Sequence, residues 1–264
     1  MSYPRNNSLA LFSLYPLNAQ AHDVLDHPRN RHLVAIMSNN TRVLDVGFNV
    51  QSQSRNTLAT LGRNDTDIIV EGAKIGRIQC SFEIDPDSRV VMLYDRSNAQ
   101  TTQVFGESTT PFEHGRLRRV VVQKGLNTIV GIGGVKCDFV RFELIWHQDP
   151  LETVDKIKSL ESMFSGLKEN PRLARTENDT PTVLPSQGVF RMRRMIVGPP
   201  LGSGQFGIVH KCVDVDSGKF MALKILTRPP GKSQEQWREE LYRTLKREVE
   251  ILSIISHVSK NFYP

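Results

Sequence analysis

The sequence has few cysteines, no long apolar run and no cluster of metal ligands, and each shortage excludes a class of protein. Its three cysteines, Cys80, Cys137 and Cys212, are too few and too scattered in 264 residues for a disulfide framework, so we expect buried, reduced thiols. No window reaches the roughly 18 apolar residues that a membrane-spanning helix needs. The seven histidines show no metal-ligand spacing, so no metal site is predicted.

The first apolar stretch, SLALFSLYPL, does not predict a signal peptide, because Ser13 and Pro16 interrupt it and it lacks a basic leading region. We therefore expect an intracellular protein without a membrane partner. The formal net charge of +6 suits anionic partners but is too small to indicate nucleic acid. Phosphate, in a nucleotide or in a phosphorylated peptide, fits this charge equally well.

The composition and the apolar pattern change along the sequence and divide it into several segments. Residues 1–40 are rich in Asn, Ser, Pro and His, and we expect them to be disordered apart from one short helix at most. Residues 41–147 contain closely spaced runs rich in Val, Ile, Phe and Thr with turn residues between them, which predicts an all-β sandwich. The predicted strands are FNV, NTLATL, DIIV, IQCSFEI, RVVMLYD, TTQVF, RRVVVQ, NTIVGIG and FVRFELIW.

Within one of these runs, IQCSFEI, alternate residues are apolar and should face the core: Ile78, Cys80, Phe82 and Ile84. Residues 148–188 read as an amphipathic helix followed by a polar, Pro-bearing linker. Residues 189–264 show further strand signals and then one long helix, which predicts a second, α+β unit. The chain is thus expected to have more than one domain.

The second unit contains the motif LGSGQFGIVHKCVDVDSGKFMALKIL, from Leu201 to Leu226. Gly202, Gly204 and Gly207 form G-x-G-x-x-G, in which glycines allow a turn to fold over phosphates and point backbone N–H groups at them. In a dinucleotide-binding motif a helix would begin after the third glycine. Here IVHKCVD continues as a strand, DSGK makes a turn and FMALKIL forms another strand, which indicates a different kind of phosphate site.

This hairpin resembles the N-terminal lobe of a protein kinase, and the resemblance covers about residues 190–257. The following segment, SQEQWREELYRTLKREVEILSIISH, predicts a helix capped by Ser233, and its REVEIL matches the family's regulatory helix. The resemblance implies ATP binding, with Glu248 positioning the strand lysine. It assigns the ATP site to Leu201, Gly202, Ser203, Gly204, Gln205, Phe206, Gly207, Val209, Ala222 and Lys224.

The motifs that supply the family's catalytic base and Mg²⁺ ligands, H-R-D and D-F-G, do not occur in the sequence, so no catalytic residue is assigned. After His257 the chain reads VSKNFYP, where the family has a Pro-Asn turn and another strand. The hypothesis is that this tail is translated intron or a mis-predicted exon end, and that the natural product continues as a full kinase that uses Mg²⁺. The alternative is a true short protein without a catalytic lobe. On either hypothesis, the chain as written is expected to lack phosphotransfer activity.

The first domain resembles a forkhead-associated domain, a sandwich that binds phosphothreonine peptides through loops at one end. LATLGRND supplies the family's Gly-Arg pair as Gly62 and Arg63, and an arginine suits bidentate binding of phosphate. The family's Ser-Arg-x-His corresponds to Gly76-Arg77-Ile78-Gln79, which lacks both the serine and the structural histidine. Its Asp-x-Ser-x-Asn-Gly-Thr corresponds to DRSNAQT, from Asp95 to Thr101. The resemblance makes Arg63, Arg77 and Asn98 the candidate phosphopeptide residues.

Two classes of function follow from these resemblances. The first is an ATP-binding protein serine/threonine kinase of the checkpoint type, whose phosphopeptide module recruits it to phosphothreonine-containing proteins, with a nuclear location favoured. The second is a non-enzymatic adaptor that binds phosphothreonine, or a β-scaffold that binds proteins without regard to phosphate, with a vestigial kinase segment. The missing serine leaves the scaffold open as an alternative.

Overall fold

A computed structural model of the chain describes residues 9–50, 52, 54, 56–150, 192–204, 207–228 and 230–259, the last twelve by backbone only. These residues form two compact units. The first unit contains the described residues up to Met195 together with Val213–Met221, and the second contains Ile196–Cys212 and the residues from Ala222 onward. The helix predicted after residue 150 and the linker that follows it lie outside the described residues.

The first unit is built on two β-sheets with eleven strands. One sheet has six strands in the order β2-β3-β1-β11-β10-β8, and the other has five in the order β5-β4-β6-β7-β9. Neighbouring strands are antiparallel except for β4 and β5, which are parallel. The strands are β1 (Ala10–Pro16), β2 (Val34–Ile36), β3 (Arg42–Gly47), β4 (Thr57–Gly62), β5 (Ile68–Ile69), β6 (Cys80–Ile84), β7 (Val91–Asp95), β8 (Thr102–Phe105), β9 (Arg119–Val121), β10 (Ile129–Ile132) and β11 (Val140–Trp146).

Side chains from the two sheets meet in a shared apolar core. The ring of Phe12 in β1 packs edge-on against Phe82 in β6, with 5.0 Å between ring centroids, and it also contacts Trp146 in β11. Phe12, Phe82 and Phe142 are essentially inaccessible to solvent. Burying each such side chain contributes about 1.5–3 kcal/mol, so the contact between sheets dominates the stability of this unit.

The prediction that residues 1–40 are disordered is wrong for the described residues 9–40. Strand β1 lies in the middle of the six-stranded sheet, between β3 and β11. Helix α1 (Ala19–Asp26), capped by Asn18, and a 3₁₀ helix (Pro28–Leu33) follow it. The side chain of Asn30 ties this 3₁₀ helix to the edge strand β5, donating to the Ile69 carbonyl at 2.8 Å and accepting from the Ile69 N–H at 2.8 Å. Ala10, Leu11, Phe12 and Leu14 of SLALFSLYPL are therefore core residues, whereas Leu17 at its end is 40% exposed.

Two further sequence predictions need correction. The run FNV forms a turn, and the strand lies just before it at Arg42–Gly47. Ile78 does not face the core, because it precedes β6 and is 41% exposed, whereas Cys80, Phe82 and Ile84 are buried as predicted. The other predicted strands of this region are confirmed as β4 to β11.

A separate sheet of three strands follows, in the order β12-β13-β14. Its strands are β12 (Arg194–Gly204), β13 (Gly207–Asp214) and β14 (Phe220–Leu226), which confirms the predicted strand, turn and strand of the glycine motif. Helix α2 (Gln234–Ser259) begins after Ser233, whose hydroxyl accepts the Gln236 N–H at 3.2 Å, as the predicted cap requires. Among the described residues, no helix combines the length and apolar character needed to cross a membrane.

Candidate phosphate-binding sites

The turn after β4 carries the first candidate, Arg63. Gly62 ends β4, and a Cβ there would lie 2.2 Å from the Arg77 carbonyl oxygen, so only glycine allows the two loops to approach. The Arg63 N–H donates to the Gly76 carbonyl at 3.0 Å, and the Asn64 N–H donates to that of Arg77 at 3.3 Å. The Arg63 side chain is exposed, and its guanidinium is bonded to no residue that the structure describes.

Arg77, the second candidate, lies on the neighbouring loop and already has a partner. Its guanidinium is 2.6 Å from the Asp65 carboxylate, and the two side chains are 72% and 55% exposed. An ion pair this exposed stabilises the protein by about 1 kcal/mol at most, so an incoming phosphate competes with a weak partner. Of the two arginines, Arg63 is therefore the more available to an incoming phosphate, because no described residue has to release its guanidinium.

Gln79 connects this loop to the third one. It is fully buried; its side-chain carbonyl accepts the Gly76 N–H at 2.8 Å, and its amide donates to the Thr101 and Thr102 hydroxyls at 3.1 and 3.0 Å. Its backbone carbonyl accepts the Arg96 N–H at 2.9 Å. Gln79 therefore bridges the loop of Gly76 and the loop that contains Thr101.

The third loop, between β7 and β8, carries Asn98. Asp95 accepts from the Ser97 N–H and hydroxyl at 3.0 and 2.7 Å, and the Ser97 hydroxyl accepts the Thr101 N–H at 2.9 Å. The predicted match at Asp95, Ser97 and Thr101 thus forms a closed turn. Asn98 projects from it as an exposed residue.

Arg118 holds this turn against the body of the first unit. Two of its N–H groups donate to one oxygen of the fully buried Asp95 carboxylate, at 2.6 and 3.1 Å. The same guanidinium donates to the Gln100 and Thr102 carbonyls at 2.9 and 2.8 Å. Neither Gln79 nor Arg118 was among the predicted site residues, although the match of Gln79 to a structural histidine was a signal for the first.

The thiols of Cys80 and Cys137, which lie near this site, are poor nucleophiles. Burial, with the nearby Asp95 carboxylate, raises the pKa of the Cys80 thiol far above its ordinary value. Burial also raises the pKa of the half-buried Cys137 thiol. All three cysteines are free, and neither of these two forms a thiolate readily near neutral pH. No group of His, Cys, Asp and Glu in the described part of the chain is arranged to hold a metal ion.

The glycine motif of the second unit spans the end of β12 and the start of β13. Gly207 is required by the fold, because its φ is +149° and a Cβ there would lie 2.0 Å from the Ile225 carbonyl oxygen in β14. Gly202 and Gly204 are different: they are exposed, they have no positive φ, and an added Cβ would meet nothing within 4 Å. Nothing within the described residues requires glycine at these two positions.

The remaining predicted ATP-site residues lie on the same three strands. Leu201 is 63% exposed and Ala222 is exposed, whereas Val209 and Lys224 are half-buried. Gln205, Phe206 and the side chain of Glu248 lie outside the described part, so the predicted pairing of Glu248 with Lys224 stays a prediction. The backbone places Glu248 on α2.

Comparison with known proteins finds similarity for part of the chain. A stretch of 61 residues, 23% of this chain, is 44% identical to calcium-dependent protein kinase 31 of Arabidopsis thaliana. The chain spans only 12% of the length of that curated relative. The crystal structure of Rad53 1–466 in complex with AMP-PNP matches with a TM-score of 0.37 and 17% identity, over 67% of this chain and 38% of that chain. No protein-family model matches. The sequence match shows that this stretch is similar to a protein kinase.

Proposed function

We propose that the second unit binds the phosphates of ATP, as part of a kinase-related function. The observation that carries this proposal is the open space around Gly202 and Gly204, where no described residue requires glycine. Glycine costs about 0.5–1 kcal/mol relative to alanine in a regular element, so its use at two open positions needs another cause. Close approach of a polyphosphate to the backbone N–H groups supplies that cause.

The other residues have roles that follow from the resemblance to protein kinases. Leu201, Val209 and Ala222 present apolar surface for the base, Lys224 binds the α- and β-phosphates, and Glu248 positions Lys224. Ser203, Gln205 and Phe206 complete the turn over the phosphates. The sequence contains neither H-R-D nor D-F-G, so the proposal for this chain is nucleotide binding. Phosphoryl transfer to serine or threonine is proposed for a longer protein that supplies those motifs and their Mg²⁺.

Replacing Lys224 with methionine should lower the affinity for ATP by about tenfold, because one charge-assisted contact to phosphate is lost while the apolar stem of the side chain is kept. Isothermal titration of the full chain with ATP, with and without Mg²⁺, measures this. Lys124→Met is the matched control, since Lys124 is an exposed lysine of the first unit and should leave ATP affinity unchanged. Equal ATP affinity in the wild type and Lys224→Met would contradict the assignment.

For the first unit we propose binding of phosphothreonine-containing proteins. The supporting observation is that the loops carrying Arg63, Arg77 and Asn98 are bonded to one another, directly or through Gln79. An exposed arginine on a rigid turn is suited to bidentate binding of a phosphate. The test passes the full chain over two degenerate peptide libraries with a fixed central residue, phosphothreonine in one and threonine in the other. Selective enrichment from the first library supports phosphopeptide binding, whereas equal enrichment favours the phosphate-independent scaffold.

A further inference from the structure

A second cluster of arginines in the first unit surrounds an acidic turn. Residues 214–219, here called the turn, comprise the last residue of β13 and the connection to β14, and Asp216 among them has a mostly buried side chain that is 17% exposed. Arg116 donates to one Asp216 carboxylate oxygen at 2.9 Å, and Arg193 pairs with both oxygens. Each of these arginine side chains is only 11% exposed. Ion pairs removed from solvent in this way are screened much less than those at the surface.

Backbone contacts complete the attachment of this turn. The Val121 N–H at the end of β9 donates to the Val215 carbonyl at 2.8 Å, and the Val215 N–H donates to the Arg193 carbonyl at 2.9 Å. The Arg119 side chain donates to the Asp216 carbonyl at 2.9 Å. Val215 is fully buried. The turn therefore covers the outer edge of β9, which is the last strand of the five-stranded sheet.

The packing of the turn is also close. Gly218 has a φ of +73°, and a Cβ at that position would lie 2.9 Å from the sulfur of Met92 in β7. A side chain at this position would therefore require Met92 or the turn to move, and it would be strained by the positive φ. The surface that receives the turn thus combines the outer edge of β9, three arginines and an apolar contact, and each of these contacts a group on the turn.

We propose that the edge of β9, together with Arg116, Arg119 and Arg193, is a docking surface for an acidic turn, and that the chain's own residues 214–219 occupy it. Asp216 is the recognition residue, because its carboxylate meets two mostly buried guanidinium groups. Asp214, in the same turn, contacts no arginine that the structure describes; it accepts the Ser217 hydroxyl and the Asp216 N–H. Docking is separable from folding of the sheets, so loss of the Asp216 charge releases the turn while the sheets stay intact. This proposal does not depend on ATP or phosphopeptide binding.

Hydrogen exchange of the full chain, resolved at single amides, tests the proposal. In Asp216→Asn we expect the Val121 amide to exchange about tenfold faster or more, because its acceptor moves away. The Leu93 amide in the interior of the same sheet should keep its wild-type rate. Asp214→Asn is the matched control and should leave Val121 at its wild-type rate. An unchanged Val121 rate in Asp216→Asn would overturn the proposal, as would equal acceleration of Val121 and Leu93.

The arginine side of the surface gives an independent check. The double variant Arg116→Gln with Arg193→Gln should accelerate Val121 exchange as Asp216→Asn does, and adding Asp216→Asn to it should cause no further increase. Arg194→Gln, one residue along and exposed, is the control and should have no effect. Fully additive effects of the aspartate and arginine substitutions would show that these groups do not act together, and would overturn the assignment of Asp216 as the recognition residue.

Discussion

Replacing Arg63 with alanine is expected to reduce the affinity for a phosphothreonine peptide by at least tenfold, the largest change in binding that the proposed site predicts. Arg63 lies on a turn fixed by Gly62 and by backbone bonds to the adjacent loop, and no described residue competes for its guanidinium. Loss of one charge-assisted pair to phosphate corresponds to about 1.5–3 kcal/mol. Fluorescence anisotropy with a labelled peptide enriched from the phosphothreonine library measures the change.

Two further variants show how much of the peptide affinity depends on the Arg63 guanidinium. Arg63→Lys keeps the charge but loses the planar, forked donor, so it should recover only part of the affinity. Arg31→Ala removes an exposed arginine of the 3₁₀ helix and should leave binding unchanged. If Arg63→Ala binds the peptide as tightly as the wild type, the phosphate is not bound at this turn.

Replacing Gln79 with leucine is expected to have the largest effect on stability, a loss of about 2–4 kcal/mol in the free energy of unfolding. The substitution removes the partner of the Gly76 N–H and of the Thr101 and Thr102 hydroxyls while keeping a buried side chain of similar size. A buried donor or acceptor that loses its partner costs about 1–3 kcal/mol. The buried Thr102 hydroxyl loses the Gln79 amide as a donor and keeps only its long bond to the Gln79 backbone carbonyl, at 3.4 Å. Urea unfolding followed by far-UV circular dichroism measures the loss.

The same substitution should weaken phosphopeptide binding, because Gln79 holds the loop of Arg77 against that of Asn98. Gln79→His introduces the residue type that the family resemblance places here, and it should retain more stability and binding than leucine because imidazole can still serve two partners. Wild-type stability in Gln79→Leu would show that the bridge between the loops is unimportant.

The strands of the first unit could be predicted where polar and apolar residues alternate, as in the run that contains Cys80, Phe82 and Ile84. Strand β1 could not, because a single central strand is buried on both faces and shows no alternation within a polar, Asn-rich segment. Its partner β11 comes from the far end of the unit, and such pairing leaves no local signal. Ile78 was misassigned because the alternation continues one step beyond the point where the strand begins.

Residues of the candidate sites could be predicted only where the signal is local in the sequence. The glycine motif and Lys224 appeared in the right elements, because turn chemistry and strand signals are local. The sequence comparison shows only that Gln79 replaces the family's histidine. In the structure its side chain has three partners, since an amide can both donate and accept. Asp216 had no signal in the sequence, because its arginines come from distant segments of the chain.

The measurement that tests the central claim most directly is a paired titration of the full wild-type chain with one enriched peptide, synthesised with phosphothreonine and with threonine. We predict that the phosphorylated form binds at least tenfold more tightly, and that raising the salt concentration narrows this difference, because the added contact is between charges. Equal affinity for the two forms would contradict phosphate recognition and would favour a β-scaffold that binds proteins through other contacts.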